Sequence, residues 1–358
     1  MTSAAWDPVR VAVVGLGYWG PNLARTLHEL EEADLVGVCD LDEDRLERIA
    51  RRYPEVQRTT SYAELLEDPT LEAVAIATTA ATHFDLGKAA LEAGKHVLVE
   101  KPLAAASQEA LELIALADAR GLLLMPGHTF LYSPPVNLIR DLIQSGELGD
   151  IYFISSSRVN FGMRRPDVSV IWDLGPHDFS ILRYWLDEQA LAVSATSRGW
   201  VIPTVPDVAF VNLGFPSGAI ANVHLAWLAP TKLRQTIVVG SRKMVVYDDT
   251  SREPVRVHDS GAMLDDPGSF GEYRLTYRSG VILSPPIEPT EPLVIELRDF
   301  CHAIRTDVEP TSSARIGLEV VETIEAVDQA IADPGVRVNV GSLQWDGAGR
   351  MGSPARRR

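Results

Sequence analysis

Cysteine is scarce in this chain. Of 358 residues only Cys39 and Cys301 are cysteine, and they lie far apart in sequence. One falls in a strand-like apolar segment and the other in a helical pattern. Buried free thiols are therefore expected rather than a disulfide framework. No apolar run approaches the roughly 18 residues of a membrane span. The opening residues Met1 to Pro8 lack the charged and apolar regions of a signal peptide. The Cys and His positions show no metal-ligand spacing. Basic residues are in deficit, 33 Lys and Arg against 49 Asp and Glu, for a net charge of −16. That balance argues against nucleic acid or an anionic membrane as a partner. Together these absences point to a cytoplasmic protein with no metal and a small-molecule partner. The tail, residues 346–358, is expected to be disordered.

At 46% hydrophobic the chain can bury ordinary cores. Its length suits about two domains of roughly 150 residues. Arg10 to Val14 is patterned as a buried strand and Asn22 to Leu30 as a helix. Between them stands Gly15-Leu16-Gly17-Tyr18-Trp19-Gly20. A Gly-x-Gly-x-x-Gly between strand and helix is the turn that binds a dinucleotide pyrophosphate. Gly15 permits the tight turn, Gly17 lets the backbone approach the phosphates, and Gly20 lets helix and strand pack closely. The next strand ends at Asp40, where a carboxylate can take the adenosine ribose hydroxyls. No arginine follows immediately to hold a 2′-phosphate, and Arg45 is the nearest. NAD is therefore expected over NADP. Asp40 is equally placed to cap the helix running to Arg52.

Strands and helices keep alternating, which means βαβ units and a parallel sheet. Ala73 to Ala77 ends at Thr78-Thr79. Thr82 is placed to cap a helix to Glu92. His96 to Val99 runs into Glu100-Lys101-Pro102, and Gly121 to Met125 is followed by Gly127-His128. Pro102 cannot continue a central strand. All these turns fall on the carboxyl edge of the sheet, where open α/β folds bind ligands. Thr78, Thr79, His83, Glu100, Lys101 and His128 are thus candidate cofactor contacts. His83 is also placed as a packing residue, and Glu100-Lys101 alone would suit a surface ion pair.

After Gly149 the pattern becomes strand-rich, and an antiparallel sheet is expected. Asp150 to Asn160 is one long strand carrying Arg158 and Asn160. Those two, with Arg164, could meet a substrate diphosphate, or form an ordinary polar strand edge. A helical pattern from Ile171 to Leu186 holds Asp173 and His177 four residues apart on one face. Gly175-Pro176 interrupts it, unless the helix starts near Pro176. Two later helical patterns, Leu293 to Arg305 and Ser313 to Ala332, are expected to cover a sheet or to dock on the first domain.

These residues resemble the Gfo/Idh/MocA oxidoreductases over roughly residues 9–340. The resemblance rests on Gly15 to Gly20, on Ala93-Gly94-Lys95-His96 with Glu100-Lys101-Pro102, and on Asp173-Leu174-Gly175-Pro176-His177. It implies an α/β Rossmann domain that binds NAD, residues 1–126. It implies a second α+β domain, residues 127–345, with a large, mostly antiparallel open sheet flanked by helices. It also implies a cis Lys101–Pro102 bond and a homodimer or homotetramer. Lys101 matches the family's active-site lysine, His177 its acid/base histidine, and Asp173 the accompanying acid. These three also become candidate substrate contacts. Ser180 stands where the family often has a second acid. Gly17-Tyr18-Trp19-Gly20 and the segment from Trp172 to Leu182 are most similar to the branch acting at C3 of nucleotide-linked sugars. The expected chemistry is NAD-dependent hydride transfer at a sugar carbon. A 3-ketosugar reductase and an inositol or free-sugar dehydrogenase remain open. So does a non-catalytic NAD- or sugar-sensing regulator, although Lys101 and His177 together favour an enzyme.

Overall fold

The computed structural model describes residues 6–162, 168–265, 274–333 and 335–341. Arg164 and the tail from residue 346 lie outside these. Two compact units divide the chain: residues 1–132 with 290–321, and residues 133–289 with 322–358.

The first unit opens β1 (Val9–Val14), α1 (Gly20–Glu29), β2 (Ala33–Cys39), α2 (Glu43–Arg52), β3 (Gln57–Thr59) and α3 (Tyr62–Glu67). It continues β4 (Ala73–Ile76), α4 (His83–Glu92), β5 (His96–Glu100), α5 (Ser107–Arg120) and β6 (Leu124–Gly127). The strands pair in parallel in the order β3-β2-β1-β4-β5-β6. Central strands covered on both faces read as unbroken apolar runs. Here Val11, Ala12 and Val13 of β1 and Val97, Leu98 and Val99 of β5 are fully buried. The order reverses between β1 and β4, which opens a crevice at the carboxyl ends of these two strands. α5 stops at Gly121, whose φ of 64° is the left-handed cap that a glycine adopts without penalty.

The second unit holds α6 (Pro134–Gln144), β7 (Ile151–Phe161), α7 (Val170–Leu186), β8 (Ala192–Arg198), β9 (Val208–Gly214) and β10 (Ile220–Ala226). β11 (Leu228–Gly240), β12 (Met244–Asp248), β13 (Val255–Asp265) and β14 (Arg274–Leu283) follow. α8 (Pro292–Thr306) belongs to the first unit, and α9 (Ala314–Ala332) contains the boundary between the two. β15 (Val338–Asn339) closes the second unit's sheet, whose order is β14-β13-β12-β11-β7-β10-β9-β8-β15. Its pairs are antiparallel except β7 with β10, which run parallel. α7 packs on β7, β9 and β10. Beneath it lie Ile154, Val211, Val223 and Leu225, all buried.

Several expectations change. α7 is one continuous helix, and Pro176 sits inside it rather than at its start. The helix begins at Ser169, whose hydroxyl accepts the Trp172 N–H. β13 and β14 were not foreseen. Charged residues and Gly261 interrupt any period-two apolar pattern there. The helix after β2 is capped by Asp42, which accepts from the Asp44 and Arg45 amides, so Asp40 is not its cap. Thr82 stands at the N-cap position of α4, as expected, but its hydroxyl makes no capping bond and donates to the Thr78 hydroxyl at 2.7 Å. Both cysteines are free and buried, as expected.

Candidate active site

In the first unit the glycine turn follows β1 directly. Gly15 has φ +90°, and a Cβ there would meet the Ala77 carbonyl group at 2.9 Å. A Cβ on Gly20 would lie 1.9 Å from the Gly15 oxygen. Both positions therefore demand glycine, and they fold the loop tightly over the start of α1. Trp19 is the residue before α1, and Tyr18 stands 92% exposed. Gly17 is exposed, with the Arg45 guanidinium as its near neighbour. The amides at this turn and the dipole of α1 suit a pyrophosphate.

Asp40 follows β2 beside the same turn. Its Oδ2 accepts the Leu16 N–H at 2.5 Å, and its Oδ1 accepts the Asp42 N–H at 2.9 Å. Arg45 pairs loosely with Asp40 at 3.5 Å and more closely with Asp42 at 3.1 Å. The carboxylate thus stands at the turn where an adenosine ribose would lie, with one cation at its side.

Thr78 follows β4 and packs its methyl against Gly15; Thr79 is exposed. Lys101–Pro102 is cis, as the resemblance implies. Glu100 ends β5 opposite Gly127 of β6. Its Oε2 accepts the Lys101 N–H at 3.3 Å, and its Oε1 has no partner among the described residues. The Trp19 indole approaches this carboxyl without reaching hydrogen-bond geometry. Burial raises the Glu100 pKa, and the Lys101 charge partly offsets that. His128 is 1% exposed, and neither ring nitrogen has a partner among the described residues. Burial, then the Lys101 charge, pushes its pKa down to about 3, so it is neutral at physiological pH.

The role of His83 changes. It is buried, with Nδ1 2.8 Å from the Pro102 oxygen and Nε2 3.3 Å from the Thr78 oxygen. The ring lies between the loops after β4 and β5. Burial lowers its pKa, and the neutral imidazole carries one N–H, so it donates to one of these two carbonyls and only abuts the other. Both nitrogens face the protein's own carbonyls, which leaves this ring no edge for a cofactor.

In the second unit Asp173 and His177 lie one turn apart on α7, both half-buried. Asp173 Oδ2 accepts from the Trp227 indole at 3.2 Å. Asp178, the next residue after His177, faces the sheet instead. It accepts from the Ser156 hydroxyl at 2.7 Å and from Arg158 Nε at 2.5 Å. Arg158 was expected to meet a diphosphate, yet it is 5% exposed. Its Nε is taken by this internal pair, and the buried side chain has little surface to offer a ligand. Asn160 lies two residues further along the same face of β7, half-buried. Ser180, at the position of the family's second acid, donates to the His177 carbonyl at 3.0 Å. It replaces an acid with a bond internal to the helix.

The first unit's donors fit a dinucleotide. The glycine turn leaves room for a pyrophosphate, Asp40 stands ready for the ribose, and buried polar atoms of Glu100, His128 and Trp19 wait for partners. Sequence reasoning missed Thr129 and Glu296. Thr129 donates to Glu296 of α8 at 2.7 Å, beside the end of β6. No local signal marks Glu296, because its position depends on where α8 returns.

Comparison with known proteins agrees with this geometry. Residues 9–128 match the oxidoreductase family with the NAD-binding Rossmann fold, and residues 136–246 match the GFO/IDH/MocA C-terminal domain. The chain is 31% identical over 251 residues to the uncharacterized oxidoreductase YdgJ of Escherichia coli, covering 66% of this chain and 70% of that protein. It is 34% identical over 145 residues to the dTDP-3,4-didehydro-2,6-dideoxy-α-D-glucose 3-reductase of Saccharopolyspora spinosa, 40% of this chain and 43% of that one. Among solved structures, GenD2 from gentamicin A biosynthesis, in complex with NAD, superposes with a TM-score of 0.81 at 28% identity. That match covers 95% of this chain and 98% of GenD2. With a glycine turn built for a dinucleotide, the cis Lys101–Pro102 edge and relatives over both halves, the chain belongs to the Gfo/Idh/MocA family of NAD-binding oxidoreductases.

Proposed function

We propose that the protein transfers hydride between NAD and a carbinol carbon of a sugar, at C3 of a nucleotide-linked sugar. The observation that carries the chemistry is Lys101 at the carboxyl end of β5. It follows the half-buried Glu100 and precedes Pro102, on the same sheet edge as the glycine turn. The sugar-nucleotide substrate is supported by the likeness to the 3-reductase of Saccharopolyspora spinosa.

Gly15, Gly17 and Gly20 seat the pyrophosphate, and Asp40 takes the adenosine ribose. Tyr18, Trp19, Thr78 and Thr79 flank the cofactor. Glu100 and His128 supply acceptors for its nicotinamide end. Bound NAD provides the hydride acceptor. Lys101 orients the substrate oxygen and stabilises the charge that develops on it. His177 takes the hydroxyl proton in the oxidative direction, since an imidazole titrates near neutral pH. Asp173, steadied by Trp227, hydrogen-bonds a neighbouring hydroxyl. Asn160 is the remaining candidate for a substrate contact.

The open face of the second unit's sheet supports a homo-oligomer. α7 covers one face; on the other, Phe153, Phe210, Ile220 and Ile237 are exposed. Ser155, Asn212 and Asn222 lie between them without charge, and Arg337 borders the face beside Gly214. A second copy of the chain could therefore pack there despite the net charge of −16. The decisive experiment mixes pure protein and NAD with nucleotide sugars, free sugars and inositols while following reduced nicotinamide. Turnover of a nucleotide sugar with oxidation at C3 supports the reading. Turnover of inositol alone, or of none of the panel in either direction, sinks it.

A further inference from the structure

A buried acid and a half-buried one flank the end of β6 in the first unit. Glu296 projects from α8 and is 0% exposed. Its Oε2 accepts from the Thr129 hydroxyl at 2.7 Å; its Oε1 has no partner among the described residues. Glu100, half-buried, takes a long contact from the Lys101 amide and lies near the Trp19 indole, and its Oε1 has no partner among the described residues. Gly127 packs so closely on Glu100 that a Cβ there would sit 3.1 Å from the carboxyl carbon and from Oε1. The run Gly127-His128-Thr129 therefore touches both acids, one at each end.

α8 is fastened here by more than this contact. Tyr132 donates to Asp299 at 2.8 Å, and the Ser312 amide donates to Tyr132 at 3.0 Å. The Ser312 hydroxyl donates to the Pro126 carbonyl at 2.6 Å. Glu296 is held in place by its helix and cannot swing out to water. Both acids lie against this run, Glu296 buried whole and Glu100 half-buried with its Oε1 out of reach of solvent, so ionising both together is disfavoured. Burial raises both pKa values, and the charge on Glu100 raises that of Glu296 further. The other charged or titratable groups facing the pair are Lys101, neutral His128, Asp299 and the Tyr132 phenol. Of these only Lys101 favours an ionised carboxylate.

We propose that Glu296 is a positioning residue that shares one proton with Glu100, and that seating NAD expels this proton to solvent. The inference rests on Glu100 being a cofactor contact, as proposed above. A ribose hydroxyl would give Glu100 Oε1 the donor that it lacks, and the oxidised nicotinamide would add positive charge nearby. Both favour the Glu100 carboxylate. Glu296 thus links cofactor affinity to pH without touching the cofactor.

Calorimetric titration of the full chain with NAD tests this at neutral pH in two buffers of different ionisation enthalpy. The wild type should release about half a proton to one proton per NAD bound. Its affinity for NAD should rise with pH, by up to about tenfold per pH unit for one proton. Glu296→Gln keeps the shape and removes the shared proton, so release should fall at least about threefold. Glu100→Gln should weaken NAD binding on the order of tenfold. Buffer-independent heats with a pH-independent wild-type affinity would overturn the shared proton. So would full proton release by a folded Glu296→Gln. If instead Glu100→Gln binds NAD as tightly as wild type, the placement of Glu100 at the cofactor fails, and this inference fails with it. The wild-type pH series decides the matter even if the Glu296 variant does not fold.

Discussion

At the scale of single residues, two assignments carry the chemistry. Lys101→Ala and His177→Ala should each lower kcat by about 10²–10⁴, the usual cost of a lost acid–base group. NAD affinity should stay within a few fold. Steady-state kinetics on the active nucleotide sugar, with NAD titrations alongside, would check both. Near-wild-type turnover by both folded variants would remove these residues from the mechanism. Asp40 should set cofactor choice. Its carboxylate stands at the glycine turn and would repel a 2′-phosphate, while Arg45 beside it could bind one. Asp40→Ser should shift the NADH-to-NADPH affinity ratio toward NADPH by about tenfold or more, some 1.4 kcal/mol. An unchanged ratio would count against the role of Asp40. Spacing after the glycine turn singled out Asp40 in the sequence, while the roles of Lys101 and His177 came from the family resemblance. The geometry speaks least for Arg158 and His83, which are both buried. Both have side chains suited to a ligand, but burial gave them partners inside the protein, and burial is not a local property.

At the scale of elements, α7 shows how one helix serves both packing and chemistry. Its inner side presents Asp178 to Arg158 and Ser156 of β7, while Asp173 and His177 remain half-buried. Removing one member of a buried ion pair strands the other charge. Asp178→Ala should therefore cost about 3–5 kcal/mol in denaturant unfolding. A loss below about 1 kcal/mol, the level of an exposed pair, would show that the two are not coupled as drawn. The sequence marked α7 through its apolar spacing but left its start in doubt. Pro176 lacks the N–H that would bond the carbonyl of Trp172. The helix continues through it because its apolar side is buried on β7, β9 and β10. Tertiary packing outweighed a local breaker.

At the scale of the whole molecule, the buried acids should leave a mark on stability against pH. Glu100 is pushed up to about 7, and Glu296 is raised as well. A carboxyl with a raised folded pKa holds a proton that the unfolded chain has lost. Its stabilising contribution is full below the unfolded value near 4.5 and is lost as pH climbs through the folded value. His128, lowered to about 3, acts in the opposite sense: its contribution is present above 6.5 and lost as pH falls. The wild type minus Glu296→Gln difference isolates the acids. Without cofactor, the Tm of the variant should gain on the wild type steadily between about pH 5 and pH 8. A constant difference would mean that Glu296 does not titrate on folding. Assembly offers a second test at this scale. Ile220→Lys, on the exposed sheet face at 60% accessibility, should yield a smaller species than wild type by light scattering. A wild type that is monomeric at micromolar concentration would refute the oligomer. The sequence alone determined the parallel sheet, the dinucleotide turn, the Glu100-Lys101-Pro102 edge and the helix bearing His177. Each depends on neighbours within a few residues, through strand and helix periods and the conformations open to glycine and proline. Only the tertiary structure decided that α8 returns to the first unit, that β7 pairs in parallel with β10, and that Glu296 reaches Thr129 at the end of β6. Those outcomes depend on burial and pairing between distant segments, which no local pattern in the chain encodes.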